Sequence, residues 1–368
     1  MTDLSVATNT TSPAFDVESI RRDFPILAQE INGKPLVYLD NGASAQKPVA
    51  VLDAMDRYYR EMHSNVHRGA HTLGDRATTA FEGAREVVRH FLNAPSTKEV
   101  IWTRGTTEAI NLVANGLAPR LKAGDEILVS HMEHHANIVP WQMVAERTGA
   151  RVVPVQVTPE GELDLESFNS LLNERTRVLA LTHVSNVLGT VNPIAPLIEQ
   201  AKKQGVITLI DGAQAVPHFK PDVQALGCDF YVFSSHKLFG PTGIGVLYGR
   251  AELLEEMPPY QGGGEMIERV SFERTTWNVL PYKFEAGTPA IAEAVGLAAA
   301  INYLDSLDRK AMEAAENALL ARANELVETV PGMEIIGTAK QKVPVMSFKI
   351  AGLHPSDIGT LLDQQGIA

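Results

Sequence analysis

Between residues 100 and 248 the chain carries seven short apolar runs, and helical stretches separate most of them. The runs fall at 100–102, 126–130, 151–157, 178–183, 206–210, 229–233 and 244–248. Short continuous runs rich in Val, Ile, Leu and Phe mark strands buried on both faces. Amphipathic stretches at 108–117, 138–146 and 197–204 supply crossover helices. This alternation predicts an α/β fold with a mainly parallel, seven-stranded sheet and helices on both faces. In open sheets of this kind, ligands bind beyond the carboxyl ends of the strands. The residues that follow each run are therefore the place to look for chemistry.

The flanks have a different texture. Residues 1–15 are polar and read as a disordered lead, without the charged start and apolar centre of a secretory signal. A short helix is expected from Asp16, closed by Pro25, and a brief strand at 37–40 leads into the turn Asn41-Gly42-Ala43-Ser44. Its small residues let backbone approach a ligand. Apolar spacing predicts a helix at 49–61. His63, His67 and His71 recur every four residues, but Gly69 argues for a ligand-facing loop rather than a helical metal stripe. Beyond 290, helices at 291–307 and 311–330, strands at 333–336 and 343–350 and a helix at 357–364 describe a small α+β unit. The division expected is a large domain at 33–295 and a smaller, C-terminally incomplete one built from 16–32 with 296–368.

Charge narrows the partners. With 44 acidic against 32 basic residues the net charge is −12, and no basic run stands out. That speaks against nucleic acid or an anionic membrane surface as partner. No apolar stretch is long enough to span a bilayer. One cysteine, Cys228, excludes an intrachain disulfide framework and fits a reducing cytoplasm.

The run at 229–233 leads into Ser234-Ser235-His236-Lys237 and a Gly/Pro turn. A lysine at the mouth of a buried strand either snorkels to solvent or is used there. An amine in a partly desolvated site has a lowered pKa and can form a Schiff base with a carbonyl. Ser234 and His236 beside it suit binding a phosphate or tuning the amine. Asp211 directly follows the run 206–210, where it either caps a helix or pairs with a pyridine nitrogen. Thr106 and Thr107 open a helix after the run 100–102, as N-caps or as a phosphate cradle. His134, in Glu133-His134-His135-Ala136-Asn137, suits stacking on a planar ring or relaying protons, and the spacing matches no zinc motif, so no metal is expected. Asn186 follows the run 178–183 and offers an amide to a phenolic oxygen. Gly240-Pro-Thr-Gly-Ile-Gly245 imitates a dinucleotide fingerprint but precedes a strand, which removes a nicotinamide reading.

The stretch around Lys237 resembles the lysine signature of class V aminotransferase-like enzymes. With TRGTTEAIN, EHHANIVPW, IDGAQ, FSSHKLFGPTGIG and FEAGTP in order, the chain resembles the group II cysteine desulfurases of the SufS/CsdA type from about Phe24 to Ala368. The resemblance implies a fold-type I, homodimeric enzyme dependent on pyridoxal 5'-phosphate (PLP). It would convert L-cysteine to L-alanine and a persulfide for iron–sulfur cluster assembly, passing sulfur to an acceptor protein of the SufE/CsdE/SufU type. Lys237 would hold the cofactor covalently, His134 stack on its ring and Asp211 pair with its nitrogen. Gln214 and Asn186 would serve the phenolic oxygen. Thr106, Thr107, Ser234 and His236 would hold the phosphate, and Thr288 would reach in from the other subunit. Gly262-Gly-Gly264 matches a dimer-interface loop of the family. Family members continue beyond a Gly-Ile-Ala like 366–368 with a substrate-binding arginine and a nucleophilic cysteine, and the chain stops before both, so the resemblance implies impaired desulfurase activity for the chain as written. Cys228, at the far end of the strand leading to Lys237, is expected to be core. Selenocysteine lyase or a related PLP-dependent β-elimination, and a non-catalytic fragment that dimerises or binds a sulfur acceptor, are the competing readings.

Overall fold

A computed structural model describes residues 15–67 and 69–368. The expected disordered lead lies outside the described residues except for Phe15, which packs against the core. The seven apolar runs become seven strands of one sheet: β1 (Val100–Thr103), β2 (Glu126–Ser130), β3 (Arg151–Val155), β4 (Thr176–Thr182), β5 (Ile207–Asp211), β6 (Phe230–Ser234) and β7 (Gly245–Gly249). Their spatial order is β1-β7-β6-β5-β4-β2-β3. Neighbours from β6 across to β3 pair in parallel, and β7 alone runs against the rest, between β1 and β6. The exception has a local cause. Only ten residues, 235–244, join β6 to β7, fewer than a parallel crossover needs, so the two strands run antiparallel.

Side chains leave each strand alternately to one of two cores. Leu128, Leu179, Leu181, Ile210, Tyr231 and Phe233 point to one face. There they meet α1 (Val49–Glu61), α2 (Thr72–Leu92), α5 (Ile194–Lys203) and α6 (Ile291–Asp305). Ile127, Val129, Val178, Leu209, Phe230 and Val232 point to the other, against α3 (Thr106–Leu117) and α4 (Val139–Thr148). Nothing in the apolar runs had marked α2, a helix of 21 residues. It is nonetheless capped at both ends, by the His71 ring at its start and by Asn93 in the left-handed conformation at its end.

Past α6 the chain forms α7 (Arg309–Val327), an antiparallel pair Met333–Ile336 with Ser347–Ile350, and a helix Pro355–Asp363. The strand expected at 343–350 is thus only its last four residues. The strand expected at 37–40 is not one. Val37 makes a single parallel bridge to Ile367, and Asp40–Gly42 curls into a 3₁₀ turn. The bridge is held by Val37 N–H to Gly366 O and Ala368 N–H to Val37 O, each 2.9 Å. It ties the early chain to the residues at 366–368. Among the described residues no helix is long and apolar enough to cross a membrane.

Candidate active site

The loops at the carboxyl ends of β1, β2, β4, β5 and β6 enclose a cavity of about 410 Å³. It is lined by Thr106, Thr107, His134, Asn186, Asp211, Gln214, Ser234, His236 and Lys237. Residues scattered over more than 130 positions are thereby gathered at one crevice, as the parallel topology requires.

Each wall has a physical origin. At the start of α3 the Thr106 amide donates to Ser234 Oγ at 2.8 Å, and the two hydroxyls lie 2.8 Å apart. No side chain caps the following amides, and Thr107 is exposed to the cavity. A Cβ on Gly105 would sit 3.2 Å from Ser234 Oγ, and one on Gly245 would come within 2.5 Å of Gly105 Cα. The cradle therefore depends on two glycines, and Gly245 of the false dinucleotide motif acts here, by letting β7 lie close under the loop.

Asp211 is buried at the end of β5, and its Oδ1 accepts the Ala213 N–H at 2.9 Å. Burial raises its pKa, while that hydrogen bond and the positive charge of Lys237 pull it back down. Lys237 closes the 3₁₀ turn after β6 and has no hydrogen bond among the described residues. Burial lowers its pKa, with Asp211 opposing. His134 stands at the rim, its Nδ1 accepting the Ala136 N–H at 3.1 Å; desolvation and then Lys237 lower its pKa. His236 is lowered in the same way. An amine biased toward its neutral form, a buried acid and an imidazole biased toward neutrality thus face one space.

Thr288, expected to serve the other subunit's site, does not line this chain's own Lys237 cavity. It is exposed on a separate one of about 530 Å³, with Arg104, Glu108 and Gln261. Gln214 turns its Nε2 to Gly42 O at 2.6 Å and so pins the turn at 41–44 to the site. None of the described residues at 63–71 lines the Lys237 cavity. His67 instead meets Glu82 Oε1 at 3.0 Å, a carboxylate that sequence spacing had not linked to it. Cys228 is buried, and burial pushes its thiol up to about 12. Thr182 lines the cavity unannounced. The apolar run had been extended through His183, which put Thr182 inside a strand, whereas β4 ends on it.

A profile of the class-V aminotransferases matches residues 37–368. The chain belongs to this family. It is 53% identical over 96% of its length to a probable cysteine desulfurase of Vibrio cholerae, spanning 87% of that protein. It is 52% identical to a cysteine desulfurase of Klebsiella pneumoniae, with the same coverage of each chain. The crystal structure of the Escherichia coli cysteine desulfurase CsdA, in its S-sulfonic acid form, superposes with a TM-score of 0.87 at 44% identity, over 96% of this chain and 87% of the other. The apo cysteine desulfurase of Thermococcus onnurineus gives 0.91 at 36%, over 97% and 88%. Within class V, then, the chain is a member of the cysteine desulfurase group.

The cofactor of this group is PLP, and the cavity fits it on its own geometry. The glycine-dependent cradle at α3 suits a phosphate, the buried Asp211 suits a protonated ring nitrogen, and the half-buried amine of Lys237 suits a carbonyl.

Proposed function

We propose that this chain uses PLP to draw sulfur from L-cysteine, so that L-cysteine and a thiol become L-alanine and a persulfide. The observation that carries the reading is that Lys237 and the buried Asp211 line one cavity together with the cradle built by Thr106 and Ser234. Bound there, PLP supplies a protonated pyridine ring that withdraws electrons from the substrate's α-carbon. Asp211 keeps the proton on the ring nitrogen. Lys237, whose pKa burial lowers, would hold the cofactor at its carbonyl carbon, whose oxygen would leave as water, and would move a proton at the substrate α-carbon. His134, which lines the cavity, would stack on the cofactor ring and pass a proton at the substrate. Thr106, Thr107, Ser234 and His236 hold the phosphate, and Asn186 and Gln214 face the phenolic oxygen.

Two copies work together in this reading. Thr288, exposed on a cavity separate from that of its own Lys237, completes the phosphate site of the other subunit. The sulfur passes to an acceptor protein of the SufE/CsdE/SufU type for iron–sulfur cluster assembly, in a reducing cytoplasm that suits a lone free cysteine. The receiving thiol is not Cys228, which is core. The test is direct. The purified chain with PLP should develop a visible absorbance band, borohydride should fix the cofactor on Lys237, and L-cysteine should perturb the band. Asp211→Asn should retain PLP yet lose most of the response to L-cysteine. Fixation at another lysine, or an unaltered response in Asp211→Asn, defeats the proposal.

A further inference from the structure

Glu133 takes part in none of the roles above, yet it is a buried carboxyl between two walls of the cavity. The parallel ladder explains its place. β2 ends at Ser130 while β4 continues to Thr182, so the Thr182 N–H has no strand partner on that side. Glu133 Oε1 accepts this N–H at 3.0 Å, together with the hydroxyl of Ser130. Its Oε2 accepts from Asn137 Nδ2 at 2.7 Å, and Asn137 Oδ1 in turn accepts the Trp141 indole N–H at 3.0 Å. On the other side of β4, Thr182 is paired in register with Asp211. The carboxyl therefore bridges the loop bearing His134 and the strand end beside Asp211.

We propose that Glu133 is a positioning residue for the cofactor, its two acceptor oxygens fixing the gap between His134 and the Asp211 strand. The inference rests on the reading that PLP lies in that gap. Polarity makes it specific. Thr182 offers a backbone N–H that cannot reverse, and Asn137 cannot flip its amide without losing Trp141. A glutamine at this position, in either orientation, sets its NH₂ against one of these donors, and a buried donor facing a donor is costly. Two acceptor oxygens are needed, which among side chains of this length only glutamate provides. Burial pushes the Glu133 pKa up to about 7 against three hydrogen bonds, and Asp211 adds to the rise. Both protonation states keep the network, because Ser130 can reverse its hydroxyl.

The experiment compares the parent chain with E133Q, the double variant E133Q/N137D and the control H134A. In the double variant the carboxylate introduced at position 137 would accept from the new amide on one oxygen and from Trp141 on the other, restoring the polarity. For each, the PLP dissociation constant, the visible circular dichroism of bound PLP and the gain in melting temperature on adding PLP are measured. E133Q should bind PLP about tenfold more weakly, lose much of the dichroic band and shrink the thermal gain, and E133Q/N137D should recover all three. A merely structural Glu133 would lower the melting temperature with and without PLP alike and leave the gain intact. That result, or a double variant no better than E133Q while H134A does perturb the band, overturns the inference. Should E133Q fail to fold, the double variant decides: parent-like PLP binding supports the clamp, and tenfold weaker binding overturns it. If H134A itself leaves PLP binding and dichroism untouched, the reading of the gap falls, and the clamp with it.

Discussion

Arg85 is the group whose loss the structure makes most costly outside the active site. It lies on α2 with no exposed surface, and its guanidinium donates to both oxygens of Glu285 at 2.6 and 2.9 Å and to Val100 O at 2.9 Å. It also meets Glu82 and lies 5.3 Å from the ring centres of Phe81 and Trp102. Glu285 in turn accepts the Trp102 N–H at 2.8 Å and stands three residues before Thr288. Arg85→Met keeps much of the volume but leaves the Glu285 carboxylate buried with one hydrogen bond. Removing one partner of a buried ion pair costs about 3–5 kcal/mol, far more than replacing both partners with neutral groups. Arg85→Met should therefore lose about 3–5 kcal/mol in urea unfolding without cofactor, and Arg85→Met/Glu285→Gln should regain about half of that. Loss below about 1 kcal/mol, or a double variant as unstable as the two single losses added, would refute the reasoning.

Three further outcomes are expected. Because burial lowers Lys237 from its ordinary value of 10.5, the folded chain binds fewer protons there than the unfolded chain. The penalty for burying the ammonium is then full at low pH and fades as pH rises through the lowered pKa toward 10.5. Lys237→Met should raise the urea midpoint of the cofactor-free protein near pH 6, with the advantage gone near pH 11; a pH-independent difference would sink the argument. Thr288→Ala should weaken PLP retention, and a mixed dimer pairing it with Lys237→Ala should keep one normal site, which titration of the visible band counts. Cys228, with its thiol held up to about 12, should resist alkylation until the protein unfolds. Incubation with L-cysteine should place no sulfur on Cys228, and alanine production sensitive to Cys228→Ser would overturn that.

What the sequence made legible follows from which forces are local. The seven strands could be read because each is a short apolar run buried on both faces, and β2 was placed to the residue. The antiparallel β7 was implicit in the absence of a helix between Phe233 and Ile244. That Asp211, His134 and Lys237 would meet at one cavity was legible because parallel strands end together at one crevice. What stayed hidden was non-local. Thr182 became a cavity residue only once β4 was known to stop one position earlier than the apolar run. Glu82 and Arg85 lie on a helix with few large apolar residues, and their partners His67 and Glu285 are 15 and 200 positions away. Val37 looked like a strand because it is apolar, yet it makes an isolated bridge to Ile367, 330 positions away, that its neighbours do not announce. Glu133 shows the limit most sharply. It was in view as part of a histidine motif, but its function arises from a ladder that runs out on one side and a tryptophan whose indole fixes an asparagine. A residue that works by accepting bonds from three other residues carries no signature of its own, so only the fold can say which carboxylates are structural and which set the shape of the site.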